Sequence, residues 1–402
     1  MAPTRENLAT LQAGHGDLFG LDKATAENAA ITFSEENLAY NRDWSDINRM
    51  NDEVFSPSFR SRYRDSSGTP WKISWFCMDH GELPSNPRNK EPGFGRIHSY
   101  YRSRIEEAGV DDEIQFHFHP RSVGGHPLAA ATSYNNNSPE FVQAIAIRLI
   151  EFSWFPSSFR PGFHSIRPDS NLFLEQWFPF DYSNQHYEYP SGQPDLDGGR
   201  FGDWRRAPKT WRGYHPSPFD YQAPGNLRRT VFRCLNLGTR HRLLTVDHVR
   251  QAFSEAQELG SAVLAFTNHD WRQIQPDIAH AFRLLSSVAA EFEDVDVRFS
   301  GAEEAAIATV GDPLERPVFE VELSGSRLNV SLVRGSLQGA QPFLAVETLV
   351  GDVFHDNFDE REGLGGWTYT FDEQTCNRGQ LRRVGVGGAS HGGATAVVLE
   401  VI

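Results

Sequence analysis

The sequence predicts an α/β protein: a (β/α) barrel, closed or incomplete, followed by a small antiparallel β-sandwich. Three observations carry this expectation. Between residues 29 and 300, short apolar runs alternate with segments of helical period, and alternating strands and helices imply a parallel sheet with right-handed crossovers. Near Asp312-Pro313 the helical period gives way to two-residue alternation broken by glycines. A chain of 402 residues also has room for a barrel of about 250 residues and a further domain. The expected domains are therefore 1–312 and 313–402.

A first strand falls at Ala29–Phe33 and runs into Glu35 and Glu36. Lys72–Met78 is a compact apolar run suited to a buried strand. A helix follows from about Phe94 to Ala108, with Ile97, Tyr101, Ile105 and Ala108 on one stripe and Gly109 as its stop. Glu113–Phe118 is the next strand. Ser138-Pro139 starts a helix that carries Phe141, Ile145 and Leu149 to about Phe152. Thr245 caps another, ended by Gly260. Strand Ala262–Phe266, helix Pro276–Phe292 and strand Val295–Phe299 complete the series. Residues 153–240, rich in Pro, Gly and aromatics, read as long loops of the kind that shape a site. Beyond them Phe319, Val321 and Leu323, then Leu328, Val330 and Leu332, then Val397, Leu399 and Val401 alternate as sandwich strands do.

The net charge of −15 argues against a nucleic-acid partner. The densest basic cluster, Arg205, Arg206, Lys209 and Arg212, is interleaved with Trp204 and Trp211 and reads as a solvated loop or as a grip for an anionic or sugar ligand. The three cysteines are too scattered for a disulfide framework, which fits a reducing compartment. Residues 1–30 lack the apolar core of a signal peptide, and no segment approaches 18 apolar residues. The expectation is a cytoplasmic protein without a membrane span.

The most informative motif is Phe116-His117-Phe118-His119-Pro120. On a strand, residues i and i+2 share a face, which places the two histidines roughly 6–7 Å apart along it. Two imidazoles on one face can share a metal ion, or they can be structural. The spacing names a metal site and not a metal, because imidazole suits zinc, iron and nickel alike. Two further features follow in order: the Arg-Pro-Gly turn in Ser158–His164, and His269 just past an apolar strand in Leu264–Trp271.

This series resembles the polysaccharide deacetylases, the NodB-homology carbohydrate esterases, over about residues 29–305. AGVDDEIQFHFHP is similar to the family's two-histidine stretch, FRPGFHS to its Arg-Pro-Gly turn, and LAFTNHDW to its late-histidine segment. The resemblance implies a barrel that removes an acyl group from an amino sugar or glycan. It also implies a divalent metal, usually zinc, held by one carboxylate and two histidines. Carried over, the metal ligands are Glu36, His117 and His119, the general base is Glu35, the acid is His269, and Arg160 orients the base. The family's acidic motif departs here: with Phe33 as the register mark, Ser34 stands at the base position, and a slip of one residue gives Glu35 and Glu36 their roles. Asp43, Asp46 and Asp79 remain alternative acids. The second histidine usually falls four residues after the first, where this chain has Arg121, so His119 or His126 takes that place. His164 and His186 read as loop residues.

Other functions fit parts of the pattern. Ser34 at the base position suits a carbohydrate-binding or regulatory pseudo-enzyme. An amidohydrolase barrel places its His-x-His nearer the chain start, and a cupin lacks these helices. The C-terminal domain reads as a carbohydrate-binding module, a dimer surface or a lid on the barrel mouth, with Trp367 and Tyr369 as a stacking pair or as core.

Overall fold

The computed structural model describes residues 5–19, 23, 26, 41, 43–80, 94–120, 134, 137–188, 202–238, 242–310, 314–361 and 365–401. The expected strand Ala29–Phe33 and the residues Ser34, Glu35, Glu36, Arg121 and His126 lie outside these, as does the Asp312-Pro313 junction.

Six strands form one parallel sheet: β1 (Ser74–His80), β2 (Glu113–His119), β3 (Ser158–Pro161), β4 (Phe180–Asn184), β5 (Thr230–Asn236) and β6 (Ala265–Thr267). Their spatial order is their chain order, and every neighbouring pair is parallel. A sheet that always steps the same way curls, and this one makes a half-barrel. Among the described residues β1 and β6 do not pair, so the barrel is open and not closed.

The helices are α1 (Arg5–Gln12), α2 (Trp44–Val54), α3 (Pro57–Arg60), α4 (Phe94–Ala108), α5 (Ser138–Phe152), α6 (Pro168–Glu175), α7 (Val246–Leu259), α8 (Gln275–Ala289) and α9 (Ala302–Thr309). Local chemistry sets their ends. The Thr245 hydroxyl accepts from the His248 amide at 3.4 Å, and Gly260 takes the left-handed cap at φ +88°. Pro139 sits in the first turn of α5, where its missing N–H has no intrahelical partner to lose.

Two expectations are corrected. Val295–Phe299 is extended but is not a strand of the sheet. Val297 exchanges hydrogen bonds with Ser66, and the Phe299 amide donates to the Asp65 carboxylate at 2.9 Å, so a loop takes the bonds a neighbouring strand would have made. Residues 153–240 are not all loop, since they hold β3, β4, β5 and α6.

The two faces of the sheet have different jobs. Inward-pointing Phe76, Phe180, Tyr182, Phe232 and Cys234 form a core inside the curl, and Ala302 and Ala306 of α9 plug it. Glu113 lies at this closed end, accepting from the Ser74 hydroxyl at 2.7 Å and from the first amides of α9. Burial pushes its carboxyl up. Outward-pointing Phe116 and Phe118 pack on Phe141 of α5, with ring centroids at 5.3 and 4.9 Å. This packing fixes the register of β2. A slip of one residue would turn both histidines into the phenylalanine layer.

The change to antiparallel structure comes between α9 and β7. Strands β7 (Val318–Ser324), β8 (Arg327–Arg334), β9 (Phe343–Thr348), β10 (Val353–Asp356), β11 (Asp359–Glu360), β12 (Gly366–Thr370), β13 (Leu381–Ser390) and β14 (Gly393–Glu400) form two four-stranded sheets, ordered β10-β9-β13-β14 and β11-β12-β8-β7. Leu328, Val330, Leu344, Val346, Val384 and Val386 fill the space between them, and Trp367 and Tyr369 are buried there as core. The first sheet lies against α5. Its far end meets the start of the barrel strands, where His391 packs on Phe180 at 5.4 Å and reaches the Thr230 hydroxyl at 3.2 Å. His391 thus meets the first residues of β4 and β5, at the barrel end opposite the C-terminal ends of β2 and β3.

Candidate metal centre

His117 and His119 end β2 on its inward face, at the C-terminal rim where parallel barrels gather their functional groups. Their Nε2 atoms stand 3.0 Å apart and their rings are nearly perpendicular, at 88°. His117 Nδ1 lies 2.7 Å from the Arg160 carbonyl. A carbonyl only accepts, so Nδ1 carries the proton and Nε2 of His117 presents a lone pair. An imidazole locked through Nδ1–H by a backbone carbonyl has the second-shell arrangement of a metal-ligating histidine.

His119 is held by shape. A Cβ on Gly162 would lie 2.5 Å from Cγ and Nδ1 of its ring, so only a glycine leaves the imidazole its place. The Phe163 ring meets His119 edge-on at 4.9 Å. Two Nε2 atoms 3.0 Å apart are close enough to reach one ion at the roughly 2.0–2.1 Å of a Zn–N bond, so the donor pair fits a divalent metal. Among the described residues no group of three or more His, Cys, Asp or Glu side chains converges here. The expected third ligand, Glu36, and the expected base, Glu35, are outside the described residues. The β1 backbone brings His80 into register with His119, a neighbour that the sequence motif did not suggest.

Arg160 of β3 is 5% exposed. It donates through one terminal nitrogen to the Tyr182 carbonyl at 2.9 Å and through the other to His164 Nδ1 at 3.0 Å. Its guanidinium also hydrogen-bonds the Cys234 thiol, which burial nevertheless pushes up. His269 lies past β6, with its ring against Trp271 at 5.0 Å and its amide donating to the Asn268 side chain at 2.7 Å. Asn268 in turn donates to Asp277, which is gripped by both arms of Arg272 at 2.8 and 2.9 Å, so the loop that carries His269 is pinned. His117, His119, Arg160, His164 and His269 all line one large cavity of about 1050 Å³, whose walls among the described residues come from all six strands and from α7, α8 and α9.

The alternative acids sit elsewhere. Asp43 caps α2 through the Ser45 and Asp46 amides, and Asp46 pairs with Arg49 at 3.3 Å. Asp79 is in register with outward-facing Phe118, not with His117, and pairs with Arg148 of α5 at 2.7 Å. Burial pushes the Asp79 carboxyl up to about 6 although Arg148 opposes the rise. Trp204 and Trp211 are fully buried, and Arg205, Arg206 and Lys209 pair with Asp203, Asp220 and Glu188. His186 is half-buried outside the cavity lining. The residue the sequence reading undervalued is His164. The motif placed it four residues after Arg160 in the chain, but the contact depends on a backbone turn that residue names do not reveal.

No protein-family model matches the chain, and no curated protein matches it. The fold and site define a half-barrel of parallel strands with a paired-imidazole site at its C-terminal rim. No helix among the described residues is long and apolar enough to cross a membrane.

Proposed function

We propose that the protein is a metal-dependent hydrolase that removes an N-acyl group, such as acetyl, from an amino sugar or glycan, as its resemblance to the polysaccharide deacetylases implies. The observation that carries the reading is the convergence of two Nε2 atoms at 3.0 Å, with the His117 tautomer set by the Arg160 carbonyl. His117 and His119 hold the metal, and Glu36 completes the set by resemblance. A bound divalent ion supplies a Lewis acid that polarises the acyl carbonyl and lowers the pKa of water to about 7. Glu35 would take the proton of the attacking water as its oxygen bonds to the acyl carbon, and the acyl C–N bond breaks to release the carboxylate and the amine. His269 delivers a proton to the leaving amine. Arg160 places a fixed positive charge in the cavity wall, which favours the ionised form of a nearby carboxylate.

A second reading, a carbohydrate-binding pseudo-enzyme, draws on two observations. Ser34 stands at the base position, and the Arg160 guanidinium is directed to a carbonyl, an imidazole and a thiol among the described residues. A Ser34→Asp variant that gains acetate release would favour it.

The test is the metal content of the purified protein beside a His117→Ala/His119→Ala double variant. The expected result is about one equivalent of zinc or a similar ion in the wild type, lost in the double variant, with acetate released from N-acetylated amino sugars by the wild type only. Absence of metal from the wild type after zinc is added back would remove the hydrolase reading.

A further inference from the structure

We infer that His164 is a positioning residue for the two-histidine site, acting through the Arg160–His164 turn. This rests on the metal reading proposed above. The turn touches both rings. The carbonyl of Arg160 takes the Nδ1 proton of His117, Gly162 leaves the space that His119 fills, and Phe163 packs on the His119 edge.

The turn has an uncommon backbone. Phe163 and His164 lie consecutively in the left-handed region, at φ +53° and +52°, and neither is a glycine. Bulky residues avoid that region unless their surroundings hold them there. Here a distant segment does so. The Gly202 amide donates to the Phe163 carbonyl at 3.1 Å, and the Trp204 indole donates to the His164 carbonyl at 2.9 Å. A Cβ on Gly202 would come within 1.8 Å of the His164 oxygen, so the clamp requires glycine.

From inside, the side chain of His164 completes the hold. Its Nδ1 meets an Arg160 nitrogen at 3.0 Å. A guanidinium only donates, so this Nδ1 accepts and the ring proton is on Nε2. The other arm of Arg160 is on the Tyr182 carbonyl, which leaves His164 as the link that ties the guanidinium to its own turn. Were His164 unable to accept, the turn would lose its inner tie, and with it the contacts that fix His117 and His119. Outer-shell partners of this kind typically change metal affinity by about 10–100-fold.

The experiment measures zinc affinity by chelator competition, and the absorption spectrum of the cobalt-loaded protein, for wild type, His164→Asn and His164→Leu. Asparagine tolerates the left-handed backbone and offers an acceptor near the Nδ1 position, so it should stay within a few-fold of wild type with an unchanged cobalt spectrum. Leucine does neither, and it should bind zinc about 10–100-fold more weakly with an altered spectrum. Should the leucine variant not fold, Trp204→Phe carries the test: it keeps an aromatic ring in the buried position while removing the indole donor to the His164 carbonyl, and it should also weaken zinc binding. Wild-type affinity and spectrum in His164→Leu, or in Trp204→Phe where that variant stands in, overturn the inference and leave the metal reading intact. A wild type that takes neither zinc nor cobalt overturns both.

Discussion

His98 shows what burial does to a single residue in this chain. It lies on α4, 2% exposed, stacked on Phe152 at 4.3 Å and against the edge of Trp154 at 4.9 Å. Neither ring nitrogen has a hydrogen-bond partner among the described residues. Burial, and then the nearby Arg148 and Arg102, push its pKa down to about 3. The unfolded chain takes up this proton near pH 6.5, and the folded chain does not until far lower. Stability is therefore full above pH 6.5 and is lost as pH falls from there towards 3. A His98→Phe variant keeps the stacking and removes the proton, so its loss between pH 7 and pH 5 should be smaller by ~2 kcal/mol. Denaturant unfolding at the two pH values reads this directly, and parallel losses in both proteins would exclude it. The same scale shows why part of the site could be read from residue names. His117 and His119 share a face because strand parity is arithmetic, and the alternating Phe116 and Phe118 force the choice of face. The role of His164 depends on the sign of φ at two non-glycine residues, which is set by Gly202 and Trp204 nearly forty positions away in the chain.

Among the elements, α5 and β13 form the seam between barrel and sandwich. Gly385 and Gly387 face the helix side of β13, where added Cβ atoms would lie 2.8 Å from Leu149 Cγ and 2.6 Å from the Phe155 ring. The ring cannot swing aside as the end of a flexible chain would, so Gly387→Ala should destabilise by about 1–3 kcal/mol through overpacking. Gly379→Ala, at an exposed position with its nearest neighbour at 3.4 Å, is the control and should be close to neutral. Equal unfolding midpoints for the two variants would show that the seam can give. Elements differ in how legible they are for related reasons. The long helices announce themselves, because a stripe such as Ile97, Tyr101 and Ile105 repeats over several turns and caps such as Thr245 mark the ends. Strands β3, β4 and β5 do not, because burial on both faces erases alternation. Asp181 and Arg229, both fully buried, pair at 2.6 Å, so a charged residue sits in the middle of β4 without breaking it. Arg233 in β5 is likewise buried and spends its donors on the carbonyls of His186 and Lys209. Val295–Phe299 is the converse case, in which alternation is present but the chain pairs with a loop.

At the scale of the whole molecule, the sandwich and the half-barrel share a core. Phe343 of β9 packs on Phe155 at 5.6 Å and on Trp177 at 5.2 Å, and Ala345 and Ala389 join the same cluster as Phe141 and Leu149 of α5. Polar ties reinforce it: Arg383 donates to the Ile150 carbonyl at 3.0 Å and Gln143 to the Val353 carbonyl at 2.5 Å. This places the sandwich against the outer face of α5, along the helix from Phe141 and Gln143 to Ile150. Removal of the sandwich would expose the apolar face of α5 together with Phe155 and Trp177, so the two parts should not separate thermally. Calorimetry is expected to give one cooperative transition for the full chain. On the proposed metal reading, in which zinc binds only the folded site, zinc should raise the temperature of that whole transition in proportion to the logarithm of its concentration. Two resolved transitions, of which zinc moves only one, would mean that the shared core does not couple the domains.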